Sequence, residues 1–323
     1  MCFPPFPYTF IEFFFVTLHR DFALIAFPPL ICHLTSPFTI PFSEGGADLN
    51  APAIMAKKRI LFISQEINPY LPASPISSLG RLLPQQIHGK DYEVRTFMPR
   101  YGSVNERRNQ LHEVIRLSGM NIIINDNDHP LILKVASLQP ARIQVYFIDN
   151  DDYFQKLDSD IDVVGSNRPD NDERALFFAR GTVETVRKLR WEPEVIHCSG
   201  WMTAINPMFL RKMFVTEPSY ANCKIVYDTL DASLNAPLDP QIIRKLKEDG
   251  ISAKELAKFK DIVADTNLLH IMAIEYSDGV IFRNEPSEKV RDYVQKKGIP
   301  FVVIPIENTD SATYLEFYHS LQK

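Results

Sequence analysis

From Arg59 onward the hydrophobic positions form short apolar runs separated by longer stretches with helical spacing. A short apolar run bounded by turn residues reads as a strand buried on both faces, and apolar residues three and four apart read as one face of a helix. The pattern predicts a strand over 60–64, a helix over 78–88 and a strand over 92–98. Between Glu113 and Ile148 it changes to short β-rich runs at 114–117, 121–124, 131–135 and 143–148. The turn residues Asp126, Asn127, Asp128 and Pro130 separate two of these, which predicts an antiparallel hairpin excursion. Alternation then resumes. Helices are predicted over 171–189, 201–213, 266–276, 287–297 and 312–321, and strands over 195–198, 225–227, 279–282 and 301–304. The charged stretch 241–260 is helical in pattern and expected on the surface. Alternating strands and helices predict the α/β class: a single Rossmann-like domain of three layers, whose mostly parallel sheet carries a β-hairpin excursion.

The first 54 residues break this pattern. They hold 10 of the 22 phenylalanines and 8 of the 24 prolines, with Arg20 as their one Lys or Arg. Pro28, Pro29, Pro37 and Pro41 interrupt the longest uncharged run, so no continuous helix is expected there. A secretory signal would need a basic region before its apolar core, and the first nineteen residues have neither Lys nor Arg. Residues 1–54 therefore read as a non-native or disordered extension. The domain is expected over 55–323, starting at Met55 in Met-Ala-Lys-Lys-Arg-Ile; a membrane or export segment is the alternative reading of the extension.

Charge and cysteine usage narrow the classes. A net charge of -5 predicts no electrostatic drive toward nucleic acid or an anionic membrane. The cluster Arg100, Arg107 and Arg108 reads as a solvated loop, with a phosphate patch as the alternative. Four cysteines without a C-x-x-C pair predict neither a disulfide framework nor a zinc site, and they fit a reducing cytoplasm. Asp149, Asp151 and Asp152 follow a predicted strand and read as a solvated turn and helix cap, with cation binding as the alternative.

Candidate chemistry gathers at the predicted strand ends, where open α/β sheets place ligands. The turn after the first strand is where glycines usually let a phosphate approach a helix N-terminus. Here it carries Pro72, Ser74, Pro75, Ser77 and Ser78, and proline has no N–H to offer an anion. No Walker loop, G-x-G-x-x-G, G-x-S-x-G or H-E-x-x-H occurs. Glu66 is a candidate pocket-facing carboxylate. His197 reads equally as a packed strand-end residue or a ligand, beside the buried thiol expected of Cys198.

Six segments, in order, carry a family resemblance: FISQEINPY at 62–70, MPRYG at 98–102, VYFIDNDDYF at 145–154, DNDERALFFARGTVE at 170–184, WEPEVIHCSGWMTAINPMFL at 191–210 and IEYSDGVIF at 274–282. Together they resemble the N-terminal domain of bacterial glycogen synthases and plant starch synthases, retaining glucosyltransferases that use a nucleotide-diphospho-glucose donor. The resemblance implies the N-terminal half of a two-Rossmann-domain, GT-B type enzyme, with ADP-glucose or UDP-glucose as family donor and no other cofactor. Residues after Phe282 are too few for a second domain of about 100 residues. They are expected to complete the first sheet, leaving the C-terminal donor-binding domain absent.

The chain departs from the family in its polar motifs. The family's K-T-G-G-L-x-D loop reads Pro72, Ala73, Ser74, Pro75, Ile76, Ser77, Ser78, and its H-D-W-H reads Ser199, Gly200, Trp201, Met202. Its I-H-N aligns with Thr229, Leu230, Asp231, and its K-A-G-I reads Ile271, Met272, Ala273, Ile274. Pro72, Ser78, Gly200, Met202 and Leu230 are thus vestigial catalytic positions. Glu66, Tyr70, Ser74, Pro75, His197, Trp201 and Asp231 are implied to line the glucan or donor cleft, with Tyr70 and Trp201 either as stacking surfaces for an α-glucan or packed inside the sheet. The expectation is a synthase homologue without transferase activity as a lone chain, acting as a glucan-binding or regulatory subunit. The alternatives are a transferase completed by a partner chain that carries the missing domain, and a protein-interaction module.

Overall fold

The computed structural model describes residues 56–89, 91–155, 162–230, 232 and 234–322, so the extension expected over 1–54 lies outside the described residues. Ten strands form one sheet: β1 (Lys58–Ser64), β2 (Tyr92–Pro99), β3 (His112–Glu113), β4 (Met120–Ile124), β5 (Asn127–Leu138), β6 (Ile143–Asp149), β7 (Val195–Ser199), β8 (Lys224–Asp228), β9 (Gly279–Phe282) and β10 (Phe301–Val303). The helices are α1 (Pro75–Ile87), α2 (Asn171–Leu189), α3 (Asn206–Lys212), α4 (Ile242–Glu248), α5 (Ala253–Leu256), α6 (Thr266–Glu275), α7 (Glu288–Lys297) and α8 (Ser311–Ser320). Strand order is β10-β9-β8-β7-β1-β2-β6-β5-β3, with β4 paired to β5. From β10 to β6 every neighbouring pair is parallel; β5 runs antiparallel to β6, β4 and β3.

The sequence pattern explains this order. Ile60 to Ser64 are all buried, as a central parallel strand covered on both faces requires. The chain moves from β1 through α1 to β2 in one direction, and from β6 through α2 to β7 in the other. Right-handed crossovers in opposite directions put α1 and α2 on opposite faces. Helix α8 lies beside α1, where Ser311 N donates to Gln86 Oε1 at 3.1 Å. As expected, β10 adds to the sheet beside β9. Among the described residues no helix is long and apolar enough to cross a membrane.

Several expectations need correction. The hairpin turn is only Asn125 and Asp126, both left-handed at φ 51 and 61, because a two-residue turn of that type matches the twist of its strands and suits Asn and Asp. Asn127, Asp128 and Pro130 belong to β5, with Pro130 in the stretch paired only to β4. The strand expected over 114–117 is a turn, closed by Leu117 N donating to Val114 O at 2.9 Å. The helix expected over 201–213 divides into a single 3-10 turn (Trp201–Thr203) and α3, whose first turn contains Pro207. The stretch 241–260 breaks into α4 and α5 at Gly250, where φ is +102. It is also not simply a surface element. Lys245 is buried and bonded to Asp172 (2.7 Å), Glu173 (2.7 Å) and Asp239 (2.9 Å). Arg100 is likewise buried rather than solvated, paired with Glu106, while Lys134 bridges Glu106 (2.6 Å) and the buried Asp149 (2.8 Å). Arg107, Arg108, Asp151 and Asp152 are exposed.

Candidate functional site

The direction of chain crossing reverses between β1 and β7, and doubly wound sheets take ligands outside the carboxyl ends of the strands at that point. Here the loops at those ends are tied to one another. Gln65 N donates to Ser199 O (3.2 Å), Gly200 N to Asp228 O (2.9 Å) and Thr229 N to Ile281 O (3.1 Å). Gly200 has φ +86, and a Cβ on it would stand 2.6 Å from Gln65 Oε1. The Gln65 amide therefore occupies the space that a side chain at position 200 would need. Leu230, also left-handed at φ 52, folds into the same crevice and is buried. Among Phe62, Glu66, Ile76, Leu79, His197 and Leu230 only about 10 Å³ of free space remains, room for one water at most.

The turn over Pro72 to Ser78 is the N-terminus of α1, three residues earlier than the sequence pattern placed it. Pro75 takes the first helical position, where its missing N–H costs nothing. Ser74 caps the helix: Ser77 N donates to Ser74 Oγ (3.0 Å), and Ser74 N donates to Ser77 Oγ (2.9 Å). Ser77 Oγ in turn donates to Pro72 O at 2.7 Å. Ser78 N already makes its helical bond to Ser74 O (2.9 Å). The helix terminus is thus satisfied from within, by a reciprocal pair of the kind that closes capping boxes. Beside it, Ser74 Oγ donates to Glu66 Oε2 (3.3 Å) and Gln65 Nε2 donates to Glu66 Oε1 (3.1 Å). Burial pushes the Glu66 carboxyl above the usual carboxylate range, against the pull of those two hydrogen bonds.

The expected stacking surfaces are not on offer. Trp201 is 0% exposed, and its indole Nε1 has no hydrogen-bond partner among the described residues. Met202 is equally buried in the same 3-10 turn. Tyr70 is 6% exposed and sets its ring edge-on to Phe147, with centroids 4.8 Å apart. Asp231 lies outside the described residues. His197 is the packed strand residue of its two readings, with Nδ1 2.6 Å from the Tyr318 hydroxyl and Nε2 3.3 Å from Asp228 Oδ2. Cys198 beside it is fully buried, and burial raises its thiol pKa far out of the reactive range. Among the described residues no group of three or more His, Cys, Asp or Glu side chains is placed to hold a metal ion.

Sequence reasoning missed a buried polar network behind the crevice. Arg283 clamps Asp228 with two nitrogens, Nε at 2.9 Å from Oδ1 and Nη2 against Oδ2. Its Nη1 donates to Ile304 O (3.1 Å) and to the Tyr314 hydroxyl (2.6 Å). Asp228 Oδ1 also accepts from Leu230 N at 3.0 Å, which holds that residue in its left-handed turn. The signal was present, since Asp228 and Arg283 each end or follow an apolar strand, and β8 and β9 are parallel neighbours. Tyr318→Phe should leave His197 Nδ1 unpaired inside the sheet, lowering stability by about 1–3 kcal/mol. Urea unfolding of the two proteins measures this, and an unchanged midpoint would contradict it.

The fold defines a doubly wound α/β domain of the glycosyltransferase GT-B kind. The profile of the starch synthase catalytic domain family matches residues 59–283, and the chain belongs to that family. The glycogen synthase of Chlorobium limicola is 30% identical over 196 residues, covering 60% of this chain and 40% of that relative. The glycogen synthase of Chlorobaculum parvum is 29% identical over 223 residues, covering 65% of this chain and 46% of that one. The chain therefore spans less than half the length of these curated relatives. Among solved structures, the catalytic domain of starch synthase IV from Arabidopsis thaliana, bound to ADP and acarbose, shares the fold. Its TM-score is 0.59 at 14% identity, over 77% of this chain and 52% of that one.

Proposed function

We propose that this chain is a synthase-fold domain that does not transfer glucose by itself and serves glycogen metabolism as a binding or regulatory member. The self-capped N-terminus of α1 carries this reading. A donor phosphate at that position would need free N–H groups and a cation. The first turn instead has Pro75 at its first position, serine side chains that satisfy the N–H groups of Ser74 and Ser77, and the Glu66 carboxyl next to the cap. Removing one charge-stabilising donor from a transition-state site typically costs about 10²–10³ in rate. Here the lysine position holds Pro72, and the positions of the family's other polar motifs hold Gly200, Met202 and Leu230. The crowding at the strand ends adds to this, because the Gln65 amide packs against Gly200 and only about 10 Å³ of free space remains around Glu66, His197 and Leu230.

Purified protein incubated with labelled ADP-glucose or UDP-glucose and a glycogen primer should incorporate no label above the protein-free control. Incorporation that rises with protein concentration would overturn the reading.

A further inference from the structure

One feature that the crevice does not account for is a cavity of about 560 Å³ on the hairpin half of the domain, bounded by α1, the segment before β3 and the β5–β6 turn. That volume lies within the range of small-molecule sites. Three arginines line it: Arg81 from α1, Arg108 from the segment after β2, and Arg142 from the turn. Among the described residues no Asp or Glu lines it. Arg108 and Arg142 have no ion-pair partner among the described residues. The Arg81 guanidinium bonds only to neutral acceptors: Gln85 Oε1 (3.3 Å), Asn68 Oδ1 (3.1 Å) and Gln139 O (3.4 Å). Three guanidinium groups around one cavity without a carboxylate form an uncompensated positive site, in a chain whose net charge is -5.

A second observation points into the same cavity. The Tyr70 ring is packed against Phe147 and 6% exposed, and the residue lines the cavity, yet its hydroxyl has no hydrogen-bond partner among the described residues. Arg81 is near enough for its charge to act on that hydroxyl. The rest of the wall mixes amides and a hydroxyl, from Gln110, Gln144 and Ser137, with short apolar side chains.

We infer that this cavity binds a phosphorylated sugar. The guanidinium groups match the multiple acceptor oxygens and charge of a phosphate monoester. The amides, Ser137 and Tyr70 supply partners for sugar hydroxyls, and the volume exceeds what inorganic phosphate fills. The site is separate from the strand-end crevice and holds whether or not the chain transfers glucose.

Titration calorimetry with glucose 6-phosphate and fructose 6-phosphate tests this on the full chain, with glucose and inorganic phosphate as comparison ligands. Saturable binding of at least one hexose phosphate is expected, with glucose silent and inorganic phosphate at least about tenfold weaker. The double variant R108Q/R142Q alters only exposed side chains and should keep the wild-type unfolding midpoint while weakening hexose phosphate binding at least about tenfold. Tyr70→Phe should weaken it several-fold. The proposal is overturned by absence of saturable binding for both hexose phosphates, by equal affinity for inorganic phosphate, or by wild-type affinity in the folded double variant.

Discussion

Asp228→Ala should destabilise the domain by about 3–5 kcal/mol, the loss that follows when one partner of a buried ion pair is removed and the other stays behind. Both Asp228 and Arg283 have fully buried side chains. Without Asp228, Arg283 keeps only Ile304 O and the Tyr314 hydroxyl as acceptors among the described residues, and Leu230 N and His197 Nε2 lose theirs. Replacing both members by apolar residues, as in D228L/R283M, should cost less than the single change, because no charge is then left in the sheet. Denaturant midpoints of the three proteins measure the difference, and a double variant less stable than Asp228→Ala would refute the account.

The pair also sets an acid limit. Burial pushes the Asp228 carboxyl up, but the Arg283 guanidinium and then His197 outweigh it and hold the group below the usual carboxylate range. A carboxyl whose pKa is lower in the folded than in the unfolded chain adds stability that is complete above the unfolded value, about 3.9. That stability drains away as pH falls through the lower folded value. The wild-type protein should therefore lose stability below about pH 4 through this group, and Asp228→Ala should lack that component.

Gly80→Ala is expected to cost about 2–3 kcal/mol, although alanine in a helix normally gains up to about 1 kcal/mol over glycine. Gly80 lies inside α1, and a Cβ there would stand 2.2 Å from the Glu66 carbonyl oxygen. That neighbour is backbone, so relief requires the helix to move away from the end of β1. The Ser74 to Glu66 hydrogen bond would go with it. Thermal or urea unfolding decides the matter, and a variant as stable as wild type would show that the helix yields freely.

Much of the fold was legible because its elements carry local punctuation. Helix α2 begins and ends where the apolar spacing does, with Asp172 and Glu173 in its first turn and Arg187 and Lys188 in its last. The strand β9 coincides with the apolar run GVIF. Where the reading slipped, a single residue had two meanings. Pro75 looked like a loop breaker but is a helix starter, and the serine before it was the cap that should have decided the question. Gly250 cut a helix that periodicity carried through. For the site, the sequence marked the positions that lost polar groups, but not what replaced them. Whether Trp201 faced a ligand or the core depended on α2 and the loops around it, which no local pattern specifies. The Asp228–Arg283 contact likewise depends on two strands 55 residues apart becoming neighbours.

The position of α8 has a consequence for how the protein is made. Tyr314 and Tyr318 reach back to Arg283 and to His197, the latter across 121 residues of sequence. A chain emerging from the ribosome presents β7 and β8 long before these tyrosines are synthesised. Until then His197, Asp228 and Arg283 wait uncovered, so this region of the sheet is completed after translation of its own strands rather than alongside them.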